Sequence, residues 1–158
     1  ALQAGWSVGG WCPLHRRAED GRIPPAYPLK ETPARSYAVR TEWNVRDSDG
    51  TLVLVLDEIS SGTQLTISAA GRLGKPCRIE YLRGPQCVAV AGRLPLTDGS
   101  FPSLAERVAG VVEWLRREDI RVLNIAGPRG SSSPEVYPEA RQFVVRLLQR
   151  WKVAVAES

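Results

Sequence analysis

The sequence has few of the residues that most often bind metals in proteins. It contains one histidine, His15, and three cysteines, Cys12, Cys77 and Cys87, with no CxxC spacing among them. A single histidine excludes a two-histidine site, and separated cysteines argue against a closed zinc site. An odd number of cysteines also argues against a disulfide framework. We therefore expect a cytoplasmic protein with no metal site of its own.

Long apolar runs and tracts of like charge are also lacking. No apolar segment approaches the roughly 20 residues of a membrane-spanning helix, and residues 1–6 lack the basic region and cleavage pattern of a signal peptide. We expect no membrane association. The formal net charge of +4 suits nucleic acid and anionic small molecules alike. Because the basic residues are scattered and form no nucleic-acid-binding arm, we expect no nucleic-acid partner.

What remains is the pattern of one α/β domain covering residues 1–158. Strands are predicted at residues 6–11, 51–56, 77–82 and 121–126, with 87–91 as a further candidate. Helices are predicted at residues 36–47 and 63–73, after a capping box at Ser103–Glu106, and after Ser133 with Pro134 in its first turn. Strands that alternate with helices predict a Rossmann-like, doubly wound and mainly parallel sheet flanked by helices.

Two segments do not fit this pattern. Residues 12–35 contain five prolines and no periodicity. Loops of this length inside a compact domain are usually functional or disordered. Residues 83–100 are also irregular, and we interpret them as a surface insertion.

Two junctions between a strand and a helix, residues 56–63 and 125–133, have the composition of anion-binding loops. Gly62 and Thr63 stand in the first, and Gly127, Arg129 and Ser131 stand in the second. Such loops meet at the carboxyl edge of a parallel sheet, where small residues and helix N-termini favour bound anions. Arg129 would add a bidentate phosphate contact. Ordinary helix capping is the more common explanation for either loop on its own. Two such loops at one edge make a phosphate site and ordinary capping equally good explanations.

The predicted helix at 36–47 carries an unusual number of polar residues. Arg40, Asn44 and Asp47 share one of its faces, at spacings i, i+4 and i+7. A neighbouring stripe consists of Glu42, Arg46 and Asp49. These side chains form either a solvated face with an Arg46–Glu42 pair or one wall of a ligand cleft. The residues alone leave both interpretations open.

Other candidates have two interpretations each. Cys12 is a soft-metal ligand or nucleophile, or a buried structural cysteine, which is the more common case. Glu19 and Asp20 are a general acid and base, or loop charges. Trp11 and Trp43 stack on a base or pterin, or belong to the core.

Five blocks of sequence recur together in one known family. They are GGWCP (9–13), RAEDG (17–21), YPLKET (27–32), RTEWNVRDSDGT (40–51) and LNIAGPR (123–129). They resemble the putative molybdenum carrier family, which is Rossmann-like and similar to the cytokinin-activating nucleotide phosphoribohydrolases. The resemblance covers nearly the whole chain except residues 83–100.

The resemblance implies a carrier of a phosphate-containing small molecule. The ligand would be either molybdenum cofactor, which is itself a pterin phosphate, or a nucleotide-like compound. Related folds often form dimers, so a homodimer or higher oligomer is expected. The alternatives are a nucleotide-processing enzyme that uses Asp47, Asp49 or Glu19 with Arg40, and a partner-binding domain. With the residues above, the predicted ligand-binding set is Arg40, Asn44, Asp47, Asp49, Gly62, Thr63, Gly127, Arg129 and Ser131.

The sequence departs from the related families at three places. The phosphoribohydrolases carry Gly-Thr-x-x-Glu, whereas Gly62-Thr63 is followed by Thr66 at the position of the glutamate. The catalytic glutamate is absent, which argues against hydrolysis by the same mechanism, and we assign no catalytic residue. The family also opens with a strand and a glycine-rich loop that we expect this chain to lack. His15 stands where relatives often have glycine.

Overall fold

Seven strands and four helices make up the part of the chain that the computed structural model describes, residues 5–56, 58–83, 101–131 and 134–156. The strands are β1 (Trp11–Cys12), β2 (Arg17–Ala18), β3 (Gly21–Arg22), β4 (Lys30–Glu31), β5 (Gly50–Val55), β6 (Cys77–Tyr81) and β7 (Leu123–Ala126). The helices are α1 (Tyr37–Arg46), α2 (Ser61–Arg72), α3 (Leu104–Arg117) and α4 (Val136–Ala156). None of these helices is long and apolar enough to cross a membrane.

The central sheet has the strand order β6-β5-β7, and both pairings are parallel. Every residue of β5 is buried, which explains its continuous apolar sequence. From β5 the chain passes through α2 to one neighbouring strand and then through α3 to the other. This reversal opens a crevice at the carboxyl ends of β5 and β7, the usual position of a ligand in such sheets. The predicted fold class is confirmed.

The helices cover the two faces of the sheet. On one face, Leu52, Leu54 and Leu56 pack into a core cluster with α3 and α4, including Val111 and Phe143. On the other face α1 packs against α2. Since side chains alternate along a strand, the intervening residues of β5 point toward this second pair of helices. The crevice therefore lies between the α1–α2 layer and the strand ends.

Serine side chains cap three of the helices, and the sequence pattern predicts the cap of α3 among them. Ser36 accepts a hydrogen bond from the amide of Ala38, and Ser60 accepts one from Thr63. Ser103 and Glu106 form a complete capping box, in which the side chain of each residue accepts a hydrogen bond from the backbone amide of the other. These local contacts satisfy amides that a helix leaves without an internal acceptor. Helix α2 begins at Ser61, two residues before the predicted start at residue 63.

Several boundaries differ from the prediction. Residues 6–10 are not a strand, and only Trp11–Cys12 pairs, in parallel with β4. Strand β7 begins at Leu123 and not at residue 121, because the Asp49 carboxylate accepts the amides of Arg121 and Val122 and so holds them away from the sheet. The candidate strand at 87–91, most of the proposed insertion and the Ser133 cap lie outside the described residues.

The long segment 12–35 is organised around one buried side chain. Arg16 is 9% exposed and has a φ of +54°. Its guanidinium donates four hydrogen bonds of 2.8–3.1 Å to the backbone carbonyls of Ile23, Pro24, Tyr27 and Leu29. Next to it, β2 and β3 form a short antiparallel hairpin whose turn contains Glu19 and Asp20.

Candidate functional site

A cavity of about 470 Å³ lies at the carboxyl edge of the sheet. Its walls are helix α1, the N-terminus of α2, strand β7 and the loop after β7. The structure brings six of the nine predicted ligand-binding residues to this cavity, and they are Arg40, Asn44, Gly62, Gly127, Arg129 and Ser131. The remaining three, Asp47, Asp49 and Thr63, do not line it.

Thr63 and Asp49 contact the protein's own backbone or caps. The buried Thr63 places its hydroxyl 3.0 Å from that of Ser60 and donates its amide to the same oxygen. Asp49 immediately precedes β5, at the end of the strand that is opposite the cavity. There its carboxylate accepts hydrogen bonds from the amides of Arg121 and Val122 at 3.0 and 2.7 Å. These two backbone amides lower the pKa of its carboxyl group. Both residues therefore have a stabilising role in the fold.

Asn44 lines the cavity but uses both ends of its amide on β1. Its Oδ1 accepts the Trp11 amide at 2.7 Å, and its Nδ2 donates to the Trp11 carbonyl at 3.0 Å. The side chain thus pairs with β1 as a neighbouring strand would. A Cβ atom on Gly10 would lie 2.8 Å from Asn44 Oδ1, and Gly10 has a φ of +128°, so only glycine fits there.

Replacing Asn44 with alanine should therefore destabilise the protein even without a ligand. Two backbone groups of Trp11 would lose their partners, and we expect a loss of about 2 kcal/mol in the free energy of unfolding. Urea denaturation measures this change. The control is Glu42→Gln on the same helix, which weakens an exposed 3.5 Å pair with Arg72 and should cost less than about 0.5 kcal/mol. Equal stability of Asn44→Ala and wild type would show that the hydrogen bonds between Asn44 and Trp11 do not stabilise the fold.

Asp47 lies at the C-terminal end of α1 and joins it to the Trp11 side chain. Its carboxylate accepts the indole Nε1 of Trp11 at 2.7 Å and two hydrogen bonds from Arg46 at 2.6 and 3.0 Å. Arg46 and then Trp11 lower the pKa of Asp47 from 3.8 to about 2. Arg46 thus pairs with Asp47, and Glu42 pairs with Arg72, in place of the Arg46–Glu42 pair considered from sequence.

The lowered pKa of Asp47 predicts how stability depends on pH. A carboxyl group whose pKa is lower in the folded state stabilises the fold above its unfolded pKa, and this contribution is lost as the pH falls through the folded value. Between about pH 4 and pH 2, wild type should therefore lose more thermal stability than Asp47→Asn. Melting temperatures of both proteins across this range test the prediction. Parallel curves for the two proteins would contradict it.

Trp11 and Trp43 contact each other and do not line the cavity. Their rings meet edge to face, with centroids 4.7 Å apart. Arg46 lies 4.8 Å from the Trp43 ring and Lys30 lies 5.6 Å from the Trp11 ring. The larger aliphatic side chains that do line the cavity are Leu65 and Ile125, which are 38% and 41% exposed.

Three arginines surround one tyrosine ring at the cavity. The guanidinium carbons of Arg129, Arg17 and Arg40 lie 4.7, 5.2 and 5.7 Å from the centroid of Tyr37. These arginines come from the β7 loop, the β2–β3 hairpin and α1. The sequence predicts Arg40 and Arg129 as ligand contacts, whereas Tyr37 and Arg17 were missed because neither has a distinctive spacing.

Arg40 has an unsatisfied donor at this cluster. Its Nε is inaccessible to solvent and has no hydrogen-bond partner among the described residues. Burial lowers the pKa of the guanidinium, and the nearby Arg129 adds to this effect while Tyr37 opposes it. A buried donor without an acceptor is unfavourable and uncommon. The arrangement is suited to an anion that accepts from Arg40.

The N-terminus of α2 provides further donors on the same cavity. The Ser60 hydroxyl caps the amide of Thr63, and the preceding amides of Ser61 and Gly62 have no acceptor within the helix. Ser61 and Gly62 both line the cavity, where the positive end of the helix dipole favours negative charge. Gly127 has a packing role, because a Cβ atom there would lie 2.7 Å from the Leu54 carbonyl oxygen.

No group of three or more His, Cys, Asp or Glu residues that could hold a metal ion occurs in the described ranges. Cys12 is buried, and its thiol lies 3.4 Å from the carbonyl oxygen of Lys30 across the β1–β4 pair. These contacts favour the structural interpretation of Cys12.

Comparison with known proteins identifies the family. Residues 1–148 match the circularly permutated YpsA SLOG family. The chain belongs to this family. The crystal structure of a protein from Syntrophus aciditrophicus SB, named putative molybdenum carrier protein, is similar with a TM-score of 0.79 and 34% identity, over 94% of this chain and 83% of that one. No curated protein matches. The resemblance inferred from the five sequence blocks is confirmed.

In this chain, Thr66 stands where the sequence resemblance places the catalytic glutamate of the phosphoribohydrolases. Its hydroxyl lines the cavity side of α2 and donates to the Gly62 carbonyl at 3.3 Å. Among the described residues that line the cavity there is no carboxylate.

Proposed function

We propose that this SLOG protein is a carrier that binds a phosphate-bearing small molecule in the cavity between α1, α2 and β7. The observation that carries the proposal is the buried, unpaired Nε of Arg40 beside Arg129. A guanidinium matches the oxygens of a phosphate with two parallel hydrogen bonds. A bound phosphate would satisfy Arg40 and offset the repulsion between the two arginines.

The shape of the cavity favours a ligand larger than a bare oxyanion. A volume of about 470 Å³ is typical of sites for drug-sized molecules. Arginines, a tyrosine and helix amides lie on part of its wall, and the exposed side chains of Leu65 and Ile125 offer apolar contact. A phosphate joined to a flat ring has both kinds of surface. Nucleotides and the pterin phosphate of molybdenum cofactor share this chemistry.

The structural neighbour is named putative molybdenum carrier protein, and molybdenum cofactor is one of the two ligands that the sequence resemblance implies. Molybdenum bound directly by the protein would require converging sulfur, imidazole or carboxylate ligands. The described residues contain no such cluster, so we infer that the protein would hold the cofactor by its phosphate and ring.

Extraction of the bound ligand tests this proposal. Protein purified from its native host is denatured, and the released compounds are analysed by mass spectrometry and elemental analysis. We expect a ring-containing phosphate, with any molybdenum released together with it. The control is Arg40→Ala purified in the same way, which should release much less. Stoichiometric molybdenum without an organic compound, or no phosphate compound at all, would contradict the proposal.

A further inference from the structure

Glu19, on the turn of the β2–β3 hairpin, contacts two of the polar residues that line the cavity. Its Oε1 accepts a hydrogen bond from the Ser131 hydroxyl at 2.9 Å and lies 3.3 Å from Arg129 Nε. Its side chain is 31% exposed. The Arg129 side chain is 56% exposed, so solvent screens this ion pair and its contribution is modest. The carboxylate therefore lies against donors that an anionic ligand would also use.

The hairpin is fixed at its base and contacts the cavity at its far end. Arg16, just before β2, is anchored by its four carbonyl contacts, whereas β2 and β3 pair over only two residues each. So short a two-stranded ladder contributes little stability. Within β2, Arg17 stacks 5.2 Å from the centroid of the Tyr37 ring, and on the turn Glu19 contacts the β7 loop. The position of the turn is thus set largely by groups of the cavity itself.

We propose that Glu19 is an internal competitor for the phosphate of the ligand. In the free protein its carboxylate holds Arg129 and Ser131, and ligand phosphate displaces it and moves the hairpin turn away. The inference rests on the proposed function and adds a control of affinity to the same site. Each binding event must break the Glu19 contacts, and this weakens binding and speeds release. A carrier that must hand its ligand on benefits from such release.

Neighbouring Asp20 offers a matched control. It has the same charge, lies next to Glu19 and is also exposed, but it has no hydrogen bond or ion pair with Arg129 or Ser131 in the described structure. Removing either charge changes the net charge of the protein equally. A difference in phosphate affinity between Glu19→Gln and Asp20→Asn therefore comes from the contacts of Glu19 with Arg129 and Ser131, and not from the change in net charge.

The test measures the dissociation constant of inorganic phosphate by calorimetry, at fixed ionic strength, for wild type and both variants. We expect Glu19→Gln to bind phosphate about fivefold more tightly, as is typical for removal of one competing ion pair. Asp20→Asn should stay within about twofold of wild type. Equal affinities in all three proteins, or equal gains in both variants, would overturn the competitor role and leave the proposed function intact. No phosphate binding in any of them would overturn the proposed function together with the role of Glu19.

Hydrogen exchange in the wild-type protein provides a second readout that needs no variant. Phosphate should increase exchange of the amides at 18–22, because the turn loses its contacts with Ser131 and Arg129. In Glu19→Gln the same addition should change this exchange much less. Phosphate binding with unchanged hairpin exchange in wild type would overturn the competitor role.

Discussion

Replacement of Arg40 with alanine should lower the affinity for phosphate about 100-fold. Two hydrogen bonds from a charged donor contribute about 1.5 kcal/mol or more each, and together they account for a factor of this size. A ligand that binds the folded state raises the melting temperature by mass action. Wild type should therefore show a melting temperature that rises with phosphate concentration, whereas Arg40→Ala should show almost none of this rise.

The stability of the unliganded variant distinguishes binding from folding. Arg40 Nε is buried without a partner in the free protein, so removing the side chain should cost little stability. Arg40→Lys is the control for charge, because it retains the positive charge but lacks the paired donors, and we expect intermediate affinity. A sharply lower melting temperature without ligand, combined with unchanged phosphate binding, would assign Arg40 to the fold.

Replacement of Arg16 with alanine should produce the largest loss of stability. The substitution removes four hydrogen bonds from a charged donor to the segment between residues 23 and 29. Water can replace some of these bonds, and we expect a net loss of about 3 kcal/mol in the free energy of unfolding. Urea denaturation monitored by tryptophan fluorescence measures it.

Two further variants define the cause of that loss. Arg16→Lys keeps the charge, but one ammonium group cannot reproduce the fork of a guanidinium, so most of the loss should remain. Arg22→Ala removes an exposed arginine from the same segment and should change stability by less than about 0.5 kcal/mol. If Arg16→Ala were no less stable than Arg22→Ala, the segment would not depend on Arg16.

The parts of the fold that could be predicted from sequence depend on short-range patterns. The apolar run of β5 and the capping box of α3 are each set by residues close in the chain. The boundaries that were wrong depend on distant partners. Asp49 determines where β7 begins from 72 positions away, and β4 determines which part of residues 6–11 pairs. No periodicity in either segment reveals these contacts.

The same distinction applies to the site. The rule that loops meet at the carboxyl edge of a parallel sheet places Gly62, Gly127, Arg129 and Ser131 around one cavity without any knowledge of contacts. Helical spacing correctly groups Asn44 and Asp47 with Arg40, but it cannot show that Trp11, more than 30 residues earlier, contacts both. The arginine cluster around Tyr37 depends on the course of an irregular segment, which sequence patterns do not specify.

A crystal structure of the protein grown in phosphate or with a nucleoside monophosphate tests the central claim most directly. The account predicts a phosphate group in the cavity within hydrogen-bonding distance of the Arg40 guanidinium and close to the amides of Ser61 and Gly62 at the start of α2. The Glu19 carboxylate should no longer contact Arg129. A phosphate group bound only elsewhere, with no contact to the Arg40 guanidinium, would contradict the account.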